Sequence, residues 1–214
     1  MRILILASVL FSLCFSGGNV IAQPVTAKSW LVADETGNII KGENTQAIRP
    51  VASITKLLTA MIVLDARQDL NEKIDYKRYY SKKRHKKKPV PPAAQLTRGE
   101  LINLALVKSD NHAANILCSN YPGGVIECIG ALNKKAFKLG MIHTSMFDPT
   151  GLDNRNISTA EDLVLLVRAA RTYPAIVNAS HQAKVEIKIS KKWIFFKNTN
   201  PDRKSTRLNS SHAN

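Results

Sequence analysis

Three features of the sequence predict an α+β fold, or a mixed sheet with a helical block. Two short apolar runs, Trp30–Asp34 and Asn38–Lys41, flank Glu35-Thr36-Gly37 and read as a β-hairpin. Segments of helical length with capping signals then follow between Ser53 and Ala170. Alternating Val185, Ile187 and Ile189, followed by the apolar run Trp193–Phe196, read as a closing strand pair.

Residues 43–52 are polar and contain Pro50, which predicts a loop. Ser53–Ala66 is apolar almost all round, the pattern of a buried helix. Residues 67–92 are polar and basic and end in three prolines. Thr97-Arg98-Gly99-Glu100 is a capping box opening a helix over Leu101–Val107. Asn111–Cys118 is a short second helix, and Val125–Leu139 is an amphipathic one stopped by Gly140. Ser158-Thr159-Ala160-Glu161 reads as another capping box, for a helix through Ala170. There is no internal repeat.

Composition narrows the classes. Of 214 residues, 44% are hydrophobic and 22% charged, which excludes a disordered chain, a collagen and a multi-pass membrane protein. The net charge of +15 predicts attraction to something anionic. Met1-Arg2, the apolar Ile3–Phe15 and small or apolar residues through Ala22 predict a secretory signal peptide over residues 1–22, against a retained anchor. The protein is therefore expected to be periplasmic or secreted. Removal of that segment leaves Cys118 and Cys128, and an oxidising compartment favours a disulfide between them over two buried thiols. The turn-rich Ser119–Gly124 lets two helices bring them together, and no metal-ligand spacing is present.

Two motifs carry chemistry. Ser53-Ile54-Thr55-Lys56 is an S-x-x-K, which on a helix puts hydroxyl and amine on one face. A serine becomes a nucleophile when a neighbour takes its proton, and a lysine does so once burial lowers its pKa. Ser109-Asp110-Asn111 is an S-x-N between two predicted helices. Each motif alone is near chance frequency, and Ser53 alone is equally an N-cap. Together and in this order, they match two of the three motifs of the penicillin-recognising serine enzymes.

On these motifs, and on RPVASITKLLTAMIVLDA, LTRGELINLALVKSDNHAA, YPGG, LGMIHTSMFDPTGL, STAEDL and FKNTNP, the chain resembles a known family. It is similar to the low-molecular-mass penicillin-binding proteins, serine D-alanyl-D-alanine carboxypeptidases and endopeptidases, and looks closest to the penicillin-binding protein 7 endopeptidase branch. The resemblance runs from about Trp30 to Pro201 and implies a β-lactamase/transpeptidase-like fold, a helical block against an antiparallel sheet. It implies Ser53 as the acylated nucleophile, Lys56 as its general base, Ser109 as a proton relay and Asn111 as a holder of the substrate amide. It further implies peptidoglycan peptides as substrate, β-lactams as acylating inhibitors, and no metal or organic cofactor.

The third motif, K-T-G, occurs nowhere in the 214 residues. In the family it supplies half of the oxyanion hole from a central strand, so the sheet is expected to be incomplete and this stretch alone inactive. Residues 202–214 lack periodicity and hold one sizeable apolar side chain, Leu208. They read as a disordered tail or, by their likeness to translated sequencing-adapter read-through, as a non-native one. That leaves 23–201 as a partial transpeptidase-like domain. A class A β-lactamase fits less well, because Asp148-Pro149-Thr150-Gly151-Leu152 stands where a deacylating glutamate is needed. Lys73–Lys88 holds nine Lys/Arg against one Asp. No aromatic stacking motif of a nucleic-acid site accompanies it and the protein is expected to be exported, so it reads as a solvated loop or a contact for anionic envelope polymers. A non-catalytic, cationic envelope-binding protein is the alternative function. Of the histidines, His112 follows the S-x-N and reads as a bystander.

Overall fold

The computed structural model describes residues 25–76, 94–189 and 191–200. The expected signal segment, residues 202–214 and most of the basic run, including His85, lie outside the described residues. β1 (Trp30–Ala33) and β2 (Ile39–Glu43) form the expected hairpin, with Asp34 Oδ1 accepting from the Thr36 and Asn38 amides at 2.9 Å to close the turn. A short 3₁₀ turn, Ala52–Ile54, leads into α1 (Thr55–Asp65). The helix therefore begins two residues after Ser53. Ser53 sits on the turn and is exposed.

α1 is the centre of the molecule. α2 (Arg98–Val107), α3 (Asn111–Ser119), α4 (Gly124–Lys138), α5 (Ala160–Ala170) and α6 (Pro174–His181) all touch it. That explains why its sequence is apolar all round: Leu58, Ala60, Met61, Ile62 and Val63 are at most 2% exposed. Burying each large side chain contributes about 1.5–3 kcal/mol, so this helix is the main anchor of the core.

The described strands form four antiparallel pairs. Besides the hairpin, β3 (Arg49–Pro50) pairs with β6 (Ile157–Ser158), β4 (Lys73–Asp75) with β5 (Gln95–Thr97), and β7 (Lys184–Ile189) with β8 (Lys192–Lys197). Three of the observed features differ from the sequence reading. β3 lies in a stretch expected to be a loop, β4 in one expected to be polar and basic, and β5 runs into the Thr97 cap, because two- and three-residue strands are too short to show a period. α6 starts with Pro174 at its first turn, a good helix start that the reading passed over. The cap of α5 is Thr159, not Ser158: its hydroxyl accepts from Asp162 N at 3.1 Å, while Ser158 pairs with Thr144. The capping box at Thr97 forms reciprocally with Glu100.

The sulfurs of Cys118 on α3 and Cys128 on α4 are joined in a disulfide with no solvent exposure. The bridge closes a ten-residue separation. In the chain-entropy account this stabilises by about 2–3 kcal/mol. Cys118→Ala with Cys128→Ala is expected to lower the melting temperature by several degrees, and alkylation of the unreduced protein should find neither thiol. Two alkylatable thiols in exported protein would contradict the bridge.

Candidate active site

Ser53 is placed by a tight crossing of two segments. Val51 N donates to Asn156 O at 3.0 Å, next to the β3–β6 pair, and Ile54 N closes the 3₁₀ turn on Val51 O. Ala52 adopts a φ of +43°, a costly conformation for a residue with a Cβ. The turn thrusts Ser53 out at the N-terminus of α1, where unpaired amides favour negative charge.

One turn on, Lys56 is 2% exposed. Its Nζ lies 2.9 Å from Ser53 Oγ and donates to the Thr150 carbonyl at 2.8 Å. Burial pushes the Lys56 pKa below its usual 10.5, while the Asp148 and Asp110 carboxylates oppose that shift without cancelling it. The geometry suits a base. A neutral amine keeps an N–H on the Thr150 carbonyl while its lone pair faces the Ser53 hydroxyl.

The carbonyl that holds Lys56 belongs to a loop built for that position. Asp148 Oδ1 accepts from the amides of Thr150 at 2.7 Å and Gly151 at 2.6 Å, and Oδ2 accepts from Asp153 N at 2.7 Å. Asn156, fully buried, accepts from Phe147 N at 2.7 Å and donates to Asp148 O at 2.9 Å and Thr55 Oγ1 at 3.2 Å. Thr59 Oγ1 on α1 donates to Pro149 O at 2.8 Å. Gly151, at φ +81°, lies against Ala52: a Cβ there would fall 1.7 Å from the Ala52 carbonyl oxygen. Asp148 is thus spent on backbone amides and is not placed as a free water-activating carboxylate. This loop was missed as part of the site. The Asp-x-x-Gly turn chemistry was the available signal.

The S-x-N follows α2. Ser109 has a φ of +56°, and Asp110 caps α3 by accepting from Ala113 N at 2.9 Å. The field of Asp110 at Lys56 puts the two motifs in one neighbourhood. The Ser109 hydroxyl and the Asn111 amide are half-buried and take part in no hydrogen bond within the described residues, so both remain available to a substrate. His112 turns away from the site, with Nε2 2.9 Å from Tyr76 O and its ring edge-on to Tyr76. His143 lies 4.0 Å from Asp162, and His181 bonds Val177 O. A cavity of about 460 Å³ between Glu35, Leu139, Leu165 and Arg168 contains no residue of either motif. Among the described residues no group of His, Cys, Asp and Glu can hold a metal ion, and no helix is long and apolar enough to cross a membrane.

Comparison with known proteins identifies the family. The family model of the D-alanyl-D-alanine carboxypeptidases, peptidase family S11, matches residues 18–212. A D-alanyl-D-alanine endopeptidase of Pseudomonas aeruginosa is 41% identical over 156 residues, 72% of this chain and 50% of that protein. One from Escherichia coli is 39% identical over 165 residues, 72% of this chain and 51% of that protein. The chain thus spans about half the length of these curated relatives. Among solved structures, a D-alanyl-D-alanine carboxypeptidase from Mycobacterium tuberculosis is 28% identical with a TM-score of 0.75, covering 88% of this chain and 72% of that one. Penicillin-binding protein D2 from Listeria monocytogenes, in a cefotaxime-bound form, is 26% identical with a TM-score of 0.73, covering 84% and 74%. The transpeptidase fold, the lysine-backed serine and the family match converge: this chain belongs to the D-alanyl-D-alanine carboxypeptidase family of penicillin-binding serine peptidases.

Proposed function

We propose that the full-length protein cleaves D-alanyl peptide bonds of peptidoglycan through an acyl-enzyme on Ser53, in the periplasm or outside the cell. The observation that carries this reading is Lys56 Nζ, buried and suspended between Ser53 Oγ and the Thr150 carbonyl. Lys56 takes the proton as Ser53 Oγ adds to the D-alanyl carbonyl. Ser109 passes a proton to the leaving amine, Asn111 holds the substrate amide, and water then hydrolyses the ester. The Ser53 amide supplies one oxyanion donor. Similarity to two D-alanyl-D-alanine endopeptidases favours endopeptidase cleavage, between cross-linked peptides, over removal of a terminal D-alanine.

β-Lactams are expected to acylate the same serine and to leave it slowly, since Asp148 is engaged by backbone amides. The 214 residues contain no K-T-G. This stretch alone is therefore expected to show no burst with a chromogenic β-lactam, because one missing oxyanion donor costs about 10²–10³ in rate. The cations of Lys73–Lys88 would add a contact with anionic envelope polymers that about 0.5 M salt weakens.

Cross-linked muropeptide dimers and pentapeptide monomers, each incubated with the full-length protein, test the reading by chromatography. Conversion of dimers to monomers is expected. Release of D-alanine from pentapeptides alone would make it a carboxypeptidase. No conversion of either, with no covalent mark from labelled penicillin, would leave the non-catalytic envelope-binding alternative.

A further inference from the structure

The β7–β8 ribbon has two unlike faces. Its register pairs Val185 with Phe196 and Ile187 with Ile194, and Val185, Ile187 and Phe196 are buried on the side that meets α2. The other face pairs Glu186 with Phe195, Lys188 with Trp193 and Lys184 with Lys197. There Trp193 is 55% and Phe195 56% exposed. The Lys184 ammonium lies 4.9 Å from the Phe195 ring centre and the Lys188 ammonium 5.9 Å from that of Trp193. Residues 184–197 hold five lysines against Glu186. Glu186 pairs with Lys184 at 2.6 Å, and Lys188, Lys191, Lys192 and Lys197 have no acidic partner among the described residues.

The ribbon is tied to the candidate active site at its base. Asn198 donates to the carbonyls of Ala183 at 2.9 Å and Gln182 at 2.8 Å, and Thr199 N donates to Val107 O at 3.0 Å, two residues before Ser109. Two rings on one strand face stand about 7 Å apart. They make a flat apolar platform rimmed by cations. Charged Lys184, Glu186, Lys188 and Lys197 share that face, so it cannot enter a lipid core without burying charge. Sugar rings bring an apolar C–H face to an aromatic platform, and carboxylates on the same polymer answer the unpaired lysines.

We propose that the outward face of β7–β8 binds an anionic glycan strand, with Trp193 and Phe195 stacking on sugar rings and Lys188 and Lys197 meeting carboxylates. The choice of glycan rests on the peptidase reading, because the peptides offered to Ser53 hang from such a strand. The ribbon would then hold sugars that keep free carboxylates beside the S-x-N, while a peptide carried on a neighbouring sugar of the same strand enters the site.

The test uses the full-length protein and peptidoglycan glycan strands stripped of their peptides by an amidase, which leaves a carboxylate on alternate sugars. Trp193→Ala with Phe195→Ala is expected to raise Kd about tenfold, while penicillin labelling of Ser53 is unchanged. Lys188→Gln with Lys197→Gln, on exposed positions that do not affect folding, is expected to weaken binding several-fold and to flatten its salt dependence. Unchanged Kd in both variants overturns the proposal, as does binding to phosphatidylglycerol vesicles with none to the glycan. Burial of Trp193 in the full-length protein, seen as resistance to an aqueous quencher, overturns it too. The probe contains no D-alanine. Glycan binding by a protein that penicillin does not label would therefore uphold the ribbon and overturn only the peptidase reading.

Discussion

Lys56→Met in the full-length protein is expected to slow acylation of Ser53 by a fluorescent penicillin about 10²–10⁴-fold, the usual worth of a positioned base. The melting temperature should not fall with it. Methionine matches the length of the lysine stem, and removing the buried amine removes its desolvation cost, which offsets the lost hydrogen bond to the Thr150 carbonyl. In the unsubstituted protein the acylation rate should climb with pH as Lys56 loses its proton. The climb should occur below the ordinary lysine value of 10.5, because burial lowers the Lys56 pKa. The sign is fixed by the role: the base works only when neutral. Lys56→Met should lose that limb, and a profile with the same limb would assign it to another group.

Among the described glycines, Gly151→Ala should be the most damaging change. The residue sits at φ +81°, and its new Cβ would fall 1.7 Å from the Ala52 carbonyl oxygen. Backbone cannot swing aside as a side chain does, so the loop or the Ser53 turn must move. A loss of about 2–4 kcal/mol in denaturant melts is expected. Acylation should fall further than stability, because the same shift takes the Thr150 carbonyl from Lys56. Gly130→Ala on α4 is the contrast. Its added Cβ meets nothing within 4 Å, and it should stabilise by up to about 1 kcal/mol. Equal effects at the two glycines would refute the account of the loop.

The parts of the fold legible in the sequence are those with a period. The hairpin, α1, α2, α4 and the β7–β8 ribbon lie where apolar runs and caps put them, although β2 is exposed along its length. The all-apolar α1 was readable as a buried helix for the reason the structure gives: neighbours surround it. What escaped was short or non-local. β3 meets β6 and Val51 meets Asn156 across a hundred residues, and no local pattern encodes such a pairing. The same holds for the site. Ser53 and Lys56 are one helical turn apart and could be read together. Thr150 acts through a backbone carbonyl, which any residue type carries. Asp148 and Asn156 serve it by binding amides; the Asp-x-x-Gly pattern hints at the first, and the second shows only once the loop is folded. The α5 cap slipped by one residue because Ser158 and Thr159 are both good caps, and the partnership of Ser158 with Thr144 decided between them.

The central claim is that Ser53, backed by Lys56, is the acylated residue. Intact and peptide mass spectrometry of the full-length protein after a brief exposure to benzylpenicillin tests it directly. One adduct per molecule on the peptide containing Ser53 is expected, with none in a folded Ser53→Ala variant. An adduct on any other residue, or one that persists in Ser53→Ala, would contradict it.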